Sequence, residues 1–411
     1  MTARLASRWL PATATAGLIV IGIATSTWGV AAFGRANWAL PDDLWRTLIA
    51  AQRLLHGDLS GLYTSPTDLV SFPGAAVILV PVTAVIDAAG LSLQMPGPQN
   101  PDPGAWLLAG PYEIAVASLA LFAADAIAAH LGAAWPKRAV LAVAGAVALW
   151  GVTLRFGHPE DAVAVGLFLY GALALARQRA GRSGWLTGAA VAVQPLVLLA
   201  LPVLLAAIEP RRWPGFLARA AAPGALLLGL AAAANWRATV SAVTSQPNSP
   251  AVNHPTPWTA LGGHLGGGMV AAGPARALAI LVACGCAVAA GRRGRPAMRA
   301  TGWSPDALAG LLWWVAVALA VRSVFEPVMV AYYLWPAFAV ALIPASRSWT
   351  RLAATSAAVI GVTFAAQAPW RDPWSWWVPM IAGLAVVLWL ARWRASPVPG
   401  DDARVLAGVP R

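Results

Sequence analysis

The chain of 411 residues is 59% hydrophobic and only 11% charged, with a formal net charge of +12 at pH 7. Its apolar residues form uninterrupted runs of about 17–25, rich in Ala, Leu and Val, the length that crosses a bilayer, which excludes a soluble globular enzyme and, for want of alternation, a membrane barrel. The basic residues sit in short loops between these runs, so the charge marks topology and not a nucleic-acid partner.

The fold class expected is therefore all-α, a polytopic bundle of about 11–13 transmembrane helices, forming one domain over 1–394 with a short disordered cytoplasmic tail at 395–411. The first run, 11–33, is too long for a signal-peptide core and leads into GRANW, so it reads as a retained first helix. The next stretch, LPDDLWRTLIAAQRLLHGDLSGLY (40–63), has a different pattern. Leu44, Leu48, Ala51 and Leu55 fall on one face, Arg46, Thr47 and Arg53 on the other, and Gly57 is a stop. This predicts an amphipathic helix lying on the outer membrane surface. Asp42 and Asp43 stand at its start, where free N–H groups favour negative charge. One acid suffices as a cap. A second carboxylate at the lipid–water boundary has the chemistry of a general base toward a hydroxyl.

Further spans are predicted at 74–90, 105–131, 139–156, 162–177, 184–208, 215–236, 270–291, 306–322, 325–344, 352–368 and 375–392. Basic clusters at Arg4/Arg8, Lys137/Arg138, 177–182, Arg211/Arg212, 291–299, Arg347/Arg351 and Arg392/Arg394 mark the cytoplasmic face; loops 34–73, 155–161, 237–269, 322–327 and 368–374 then lie outside. One step conflicts. If 74–90 crosses fully, Lys137 and Arg138 land on the wrong side, so 74–90 is re-entrant or a short helix lies hidden nearby. Likewise 184–208, between two basic loops and interrupted at Gln194-Pro195, reads as two half-helices bordering a polar cavity.

Polar residues at the outer ends are the candidates for function. His158, Glu160 and Asp161 cluster in RFGHPED (155–161), one turn after Arg155; such groups are costly unless solvated or paired, so they form either a solvated salt-bridged turn or the wall of a binding cavity. His158 has no second His at metal-ligand spacing. Asn253 and His254 sit in a long Pro- and Gly-bearing loop, either contacting a substrate or exposed on a flexible connector. Arg322, near Glu326, either snorkels from a helix end or clamps a phosphate, with Arg35 and Arg46 as rival clamps. Glu113, Asp125 and His130, inside one run, must face protein or water; they serve helix–helix hydrogen bonds or a proton path. Most of the 22 tryptophans sit near span ends as an aromatic belt, with Trp45 and Trp258 placed to stack on a sugar. Cys284 and Cys286, two residues apart inside an apolar run, are expected to be small core residues.

The pattern Asp43…Ala50-Ala51…Leu54-Leu55-x-Gly57…Tyr63, followed by Phe72-Pro73 and an apolar run ending near Pro81, resembles the first outer loop and second helix of the GT-C glycosyltransferases. It is most similar to the polyprenyl-phosphate-mannose-dependent mannosyltransferases of actinobacteria. The resemblance continues through GHPED (157–161), GWLTGAAVAVQP (184–195), NHPTPWTALGG (253–263) and YYLWPAF (332–338), with His158 where the family has Gln and Gln194 where it has Lys. It implies an inverting transferase in the bacterial inner membrane with an extracytoplasmic active site. Asp43 would be the base, with Asp42 beside it. Donor or acceptor contacts would come from Arg46, His158, Glu160, Asp161, Asn253, His254, Arg322 and Tyr332. The implied partners are a polyprenyl-phosphate sugar donor, a glycolipid or glycan acceptor and membrane lipids; no cofactor and no metal are implied. The rival expectation is a transporter or flippase of lipid-linked intermediates.

Overall fold

The computed structural model describes residues 9–33, 42–65, 67, 69, 71–93, 104–245, 248–251, 253–369 and 372–392. The chain is an all-α, multi-pass membrane helix bundle. Its helices are α1 (Trp9–Phe33), α2 (Asp42–Leu55), α3 (Pro73–Ala88), α4 (Gly104–Ala117), α5 (Leu119–His130), α6 (Trp135–Trp150), α7 (Pro159–Ala176), α8 (Ala180–Val193), α9 (Leu201–Ala206), α10 (Trp213–Ala234), α11 (Trp236–Ser245), α12 (Ala275–Thr301), α13 (Pro305–Phe325), α14 (Trp335–Ala345), α15 (Trp349–Ala365) and α16 (Pro373–Leu390). Two short strands, β1 (His254–Pro255) and β2 (Val328–Met329), pair antiparallel with His254 opposite Met329. Arg35 and the tail 395–411 lie outside the described residues.

Among the described residues, seven helical stretches are long and apolar enough to cross a membrane: Ala105–His130, Trp135–Arg155, Pro159–Ala176, Pro210–Ala234, Ala275–Gly294, Pro305–Phe325 and Pro373–Leu390. They differ in position. Pro159–Ala176 is 89% buried, the central helix with protein on every side, whereas Pro210–Ala234 and Pro373–Leu390 are 22% buried and present most of their surface outward. Of the remaining predicted spans, 11–33 is the continuous 25-residue helix α1, 74–90 and 352–368 are helices of 16 and 17 residues, and 184–208 and 325–344 are broken. The run 325–344 becomes a helix only at Trp335, after an extended turn and a 3-10 turn over Ala331–Leu334.

The bundle has a basic end. Lys137 Nζ donates to the Arg347 carbonyl at 2.9 Å, Arg347 pairs with Asp306 at the start of α13, and Arg351 donates to the Arg392 carbonyl at 3.0 Å. Three basic clusters from separate loops thus meet at one place. Just inside it, Arg138 Nε donates to Asp125 Oδ1 at 2.7 Å and the second guanidinium nitrogen pairs with Oδ2, joining α6 to α5 with both side chains buried. This is the helix–helix role anticipated for Asp125.

The conflict over 74–90 is resolved by α3, sixteen residues long. At its start, Gly74 packs so tightly on α8 that a Cβ would sit 2.2 Å from the Ala192 carbonyl oxygen, and Ser71 Oγ donates to the Val193 carbonyl at 3.2 Å. At its end, Asp87 receives hydrogen bonds from Gln52 Nε2 and His56 Nε2 of the α2 region, each 3.3 Å long. Both ends are therefore tied to elements at the opposite end from Lys137, and α3 does not carry the chain across. The segment 184–208 is broken as its proline requires, since Pro195 has no N–H to continue the ladder. Helix α8 stops at Val193, Gln194 is extended, and a 3-10 turn over Pro195–Leu199 leads into α9. The chain then returns to α10, where Trp213 Nε1 donates to the Leu205 and Ile208 carbonyls at 3.0 and 3.1 Å.

Candidate functional site

The amphipathic reading of α2 holds for Leu44, Leu48 and Ala51, all fully buried, and Gly57 ends the segment with a left-handed φ of +77°. Two residues depart from it. Thr47 is buried, because its hydroxyl turns back to the Asp43 carbonyl at 2.8 Å, and Leu55 is 37% exposed. Asp42 is the first residue of the helix; its side chain lies outside the described residues. Trp45 and Trp258 have their indole N–H groups engaged internally, on the Leu93 and Val324 carbonyls.

The end of α6 delivers the next piece. It loosens into a π-helical turn over Gly151–Arg155, a form common at functional sites, and Gly157 takes a φ of +67° that a side chain would strain. These two departures reverse the chain, with Gly157 N–H on Thr153 O at 2.7 Å and His158 N–H on Val152 O at 2.8 Å. Pro159 then opens α7, and Glu160 and Asp161 occupy its first turn, where the helix dipole favours acids.

The result is a hydrogen-bonded row. His158 Nε2 lies 3.0 Å from Asp43 Oδ2 and Nδ1 lies 2.7 Å from Glu160 Oε1. The Asp43 side chain is 44% exposed, whereas those of His158 and Glu160 are 5% and 3% exposed. A solvent-facing carboxylate is thus held by a buried imidazole, which a buried carboxylate anchors in turn. Because both ring nitrogens face carboxylates, both donate, and the ring is an imidazolium. Burial opposes that charge, but the charge of Glu160, the hydrogen bonds to Asp43 and Glu160, and the charge of Asp43 outweigh it and raise the His158 pKa well above the ordinary 6.5. Burial likewise acts to raise Asp43, yet the hydrogen bond and charge of His158, with a smaller contribution from the half-buried Arg46, hold it below the ordinary 3.8. The solvated salt bridge to Arg155 is not what forms: Arg155 is exposed and the acids turn inward.

Tyr332, from the 3-10 turn, stacks on the His158 ring with centroids 4.3 Å apart and Phe156 at 5.3 Å on Tyr332. Asp161 accepts from Gln194 Nε2 at 2.7 Å, so the break between the half-helices is plugged into the first turn of α7. Arg322 lies within Coulomb range of Asp161, and its guanidinium sits 3.8 Å over the Tyr333 ring. Glu326 connects Arg322 Nε, at 3.9 Å, to Arg276 at 3.2 Å. Asp43, Arg46, His158, Glu160, Asp161, Arg322 and Tyr332 therefore gather at one end of the bundle.

Asn253 and His254 do not join that row. Asn253 N–H closes a turn on the Ser249 carbonyl at 3.0 Å, and His254 stacks on Trp376 at 4.0 Å, almost parallel. Their loop is a strap. Thr256 Oγ1 donates to the Glu326 carbonyl at 2.7 Å, binding the loop over the Arg322–Glu326 turn. Sequence reasoning missed Arg276; its signal was an arginine at the supposedly outer end of span 270–291, against the charge rule that orders the other basic residues. It also missed that Glu113 of α4, fully buried, lies within Coulomb range of Glu160 of α7.

Chemically, the row presents one accessible, ionised carboxylate of fixed orientation, backed by a fixed positive charge, near two arginines joined by one glutamate. No protein-family model matches the chain, and no curated protein matches it.

Proposed function

We propose that the chain is a membrane glycosyltransferase that moves a sugar from a polyprenyl-phosphate donor to a hydroxyl of an envelope lipid or glycan, with Asp43 as the general base. In this reading the acceptor oxygen attacks the anomeric carbon as its proton passes to Asp43. The bond from that carbon to the phosphate oxygen breaks, its electron pair leaves with the phosphate, and configuration inverts. Arg322, Arg276 and Arg46 supply positive charge for the departing phosphate. Such a leaving group requires no general acid.

The observation that supports this most is the half-exposed Asp43 carboxylate held at 3.0 Å by a buried His158 that Glu160 fixes from behind. A side chain serving only as a helix cap has no use for that backing. The amphipathic α2, the gathering of Arg322 and Tyr332 around the same row, and the end of the bundle opposite Lys137 and Arg347 fit an active site on the extracytoplasmic face of a bacterial inner membrane. The test is Asp43→Asn, assayed in membranes with a radiolabelled polyprenyl-phosphate mannose. Turnover should fall by roughly 10²–10⁴ while donor binding persists. Product formation at the original rate would remove Asp43 from the role of base.

The broken hairpin α8–α9 favours a second reading, a flippase or transporter of lipid-linked intermediates, since half-helices commonly border transport sites. Reconstitution in vesicles separates the two: a flippase moves the intact donor between leaflets without cleaving its sugar–phosphate bond.

A further inference from the structure

Helix α13 ends at Phe325, and Pro327, which has no N–H, prevents its continuation. Carbonyls at and just beyond such an end need donors from elsewhere. The strap supplies three from one short stretch: Trp258 Nε1 to the Val324 carbonyl at 2.7 Å, the Thr256 hydroxyl to the Glu326 carbonyl at 2.7 Å, and the Thr259 hydroxyl to the Pro327 carbonyl. The same two hydroxyls accept from the strap itself, Thr256 Oγ1 from the Trp258 N–H at 3.2 Å and Thr259 Oγ1 from the Thr256 N–H at 2.9 Å. Thr256 is 1% exposed and stands at the centre of this circuit. The pairing of β1 with β2 carries the contact on to Val328 and Met329.

Beyond this clasp the strap folds back, with the Ala271 N–H on the Gly263 carbonyl at 2.8 Å, and enters α12, where Arg276 meets Glu326 Oε1 at 3.2 Å. One loop and its continuation thus grip Glu326 twice, by its main chain at Thr256 and by its side chain at Arg276. The second carboxylate oxygen of Glu326 faces Arg322 Nε at 3.9 Å. Where the clasp holds Glu326 therefore sets the distance between two guanidinium groups. On the far side of the turn, Ser323 Oγ donates to the Tyr333 carbonyl at 3.0 Å. Tyr332 has that separate anchor beside it, so Thr256 bears on the arginines and not on the stack over His158.

We propose that Thr256 is a positioning residue whose hydroxyl locks the 254–259 clasp to the end of α13 and so fixes Arg276 and Arg322 on either side of Glu326 as one anion-holding pair. Two guanidinium groups against one carboxylate leave net positive charge, and the arginine side chains, 39% and 20% exposed, are open to an incoming anion. That the anion is the phosphate of a polyprenyl carrier rests on the transferase reading; that the clasp sets the spacing of the pair does not.

Equilibrium binding to the purified full chain in detergent tests this, with a polyprenyl phosphate and the matching polyprenol as probes. The unmutated protein should bind the phosphate more tightly than the alcohol. Thr256→Val, which keeps the shape and loses the hydroxyl, should bind the phosphate about tenfold more weakly and the alcohol equally well. Thr256→Ser, which keeps the hydroxyl, should restore the phosphate affinity. Amide hydrogen exchange in Thr256→Val should quicken across residues 326–330 while α5 and α6 keep their protection. If Thr256→Val does not fold, Trp258→Phe, which keeps an aromatic ring and loses the indole N–H, should show the same two changes. No preference for phosphate in the unmutated protein, unchanged phosphate affinity or exchange in the folded variant, equal weakening for both probes, or no recovery with serine would each overturn the proposal. If binding and exchange follow the expected pattern while the unmutated protein transfers no sugar, the clasp stands and the transferase reading falls.

Discussion

Replacing His158 by Leu should cost more stability than replacing both His158 and Glu160. In the single variant the Glu160 carboxylate, 2% exposed, loses its one hydrogen bond and the positive charge beside it. Leaving a buried charge unpaired costs roughly 3–5 kcal/mol. The lost contact to Asp43 adds little, because that side chain is 44% exposed and solvent replaces the partner, a change within about 0–1 kcal/mol. In His158→Leu/Glu160→Leu the buried charge is gone and two apolar side chains fill the space. A buried pair exchanged for packed apolar groups is commonly near neutral, so the double variant should be more stable than His158→Leu by about 2 kcal/mol or more. Denaturant unfolding in detergent, followed by tryptophan emission at pH 7, measures the difference. A double variant that loses the sum of the two single losses would show that the His158–Glu160 pair is not an isolated buried ion pair, and the account of the row would fail.

The pair that His158 forms with Asp43 sets a pH window. His158 is raised above 6.5 in the folded protein, so its contribution is fully present below the unfolded value and lost as pH rises through the folded one; Asp43 is lowered below 3.8, so its contribution is lost as pH falls through its own folded value. The stability gap between unmutated protein and His158→Leu should therefore be widest between those limits and narrow above, and a constant gap across alkaline pH would contradict the assignment. Gly74→Ala should destabilise by about 1–3 kcal/mol, since the new methyl meets backbone at Ala192, whereas Gly229→Ala, with nothing within 4 Å, should be neutral or gain up to about 1 kcal/mol of helix propensity; thermal unfolding of both variants checks this. In a cysteine-free background, Ser60→Cys in intact cells should react with a membrane-impermeant maleimide while Arg179→Cys should not, and the reverse pattern would invert the orientation proposed for the site.

The fold class was legible because run length and lack of alternation are properties of composition, and α2 because its 3.6-residue period is sharp. The acids and His158 were legible as candidates because ionisable groups are rare and costly at a span end. Their partners were not. His158 and Asp43 are 115 positions apart, and only the reversal built by the π-turn and Gly157 brings them together. For the same reason Arg155, a close neighbour in sequence, was the wrong expected partner for the acids: a π-turn rotates it outward. Asn253 and His254 were conspicuous as polar residues in a long loop, yet a proline-rich segment that bridges two helix ends needs anchors, and stacking on Trp376 is what His254 does.

The segments that upset the crossing count are also those that build the site. A helix that spans fully places its ends, with their unsatisfied N–H and C=O groups, in the interfaces, where water meets them. Helix α3 and the α8–α9 hairpin do not span, so the start of one and the tip of the other lie inside the bundle, against the first turn of α7. Interior helix ends need polar partners. The Val193 carbonyl takes the Ser71 hydroxyl, and Gln194, the residue at which α8 stops, reaches Asp161. Polar groups that would be prohibitive on a continuous helix are stabilised there, and once Asp161 is so held, its neighbours Glu160 and His158 can be buried beside it and pointed at Asp43. On this argument the half-helix break is a requirement for the acidic row, and the close approach of Gly74 to Ala192 is what keeps the two interior ends in register.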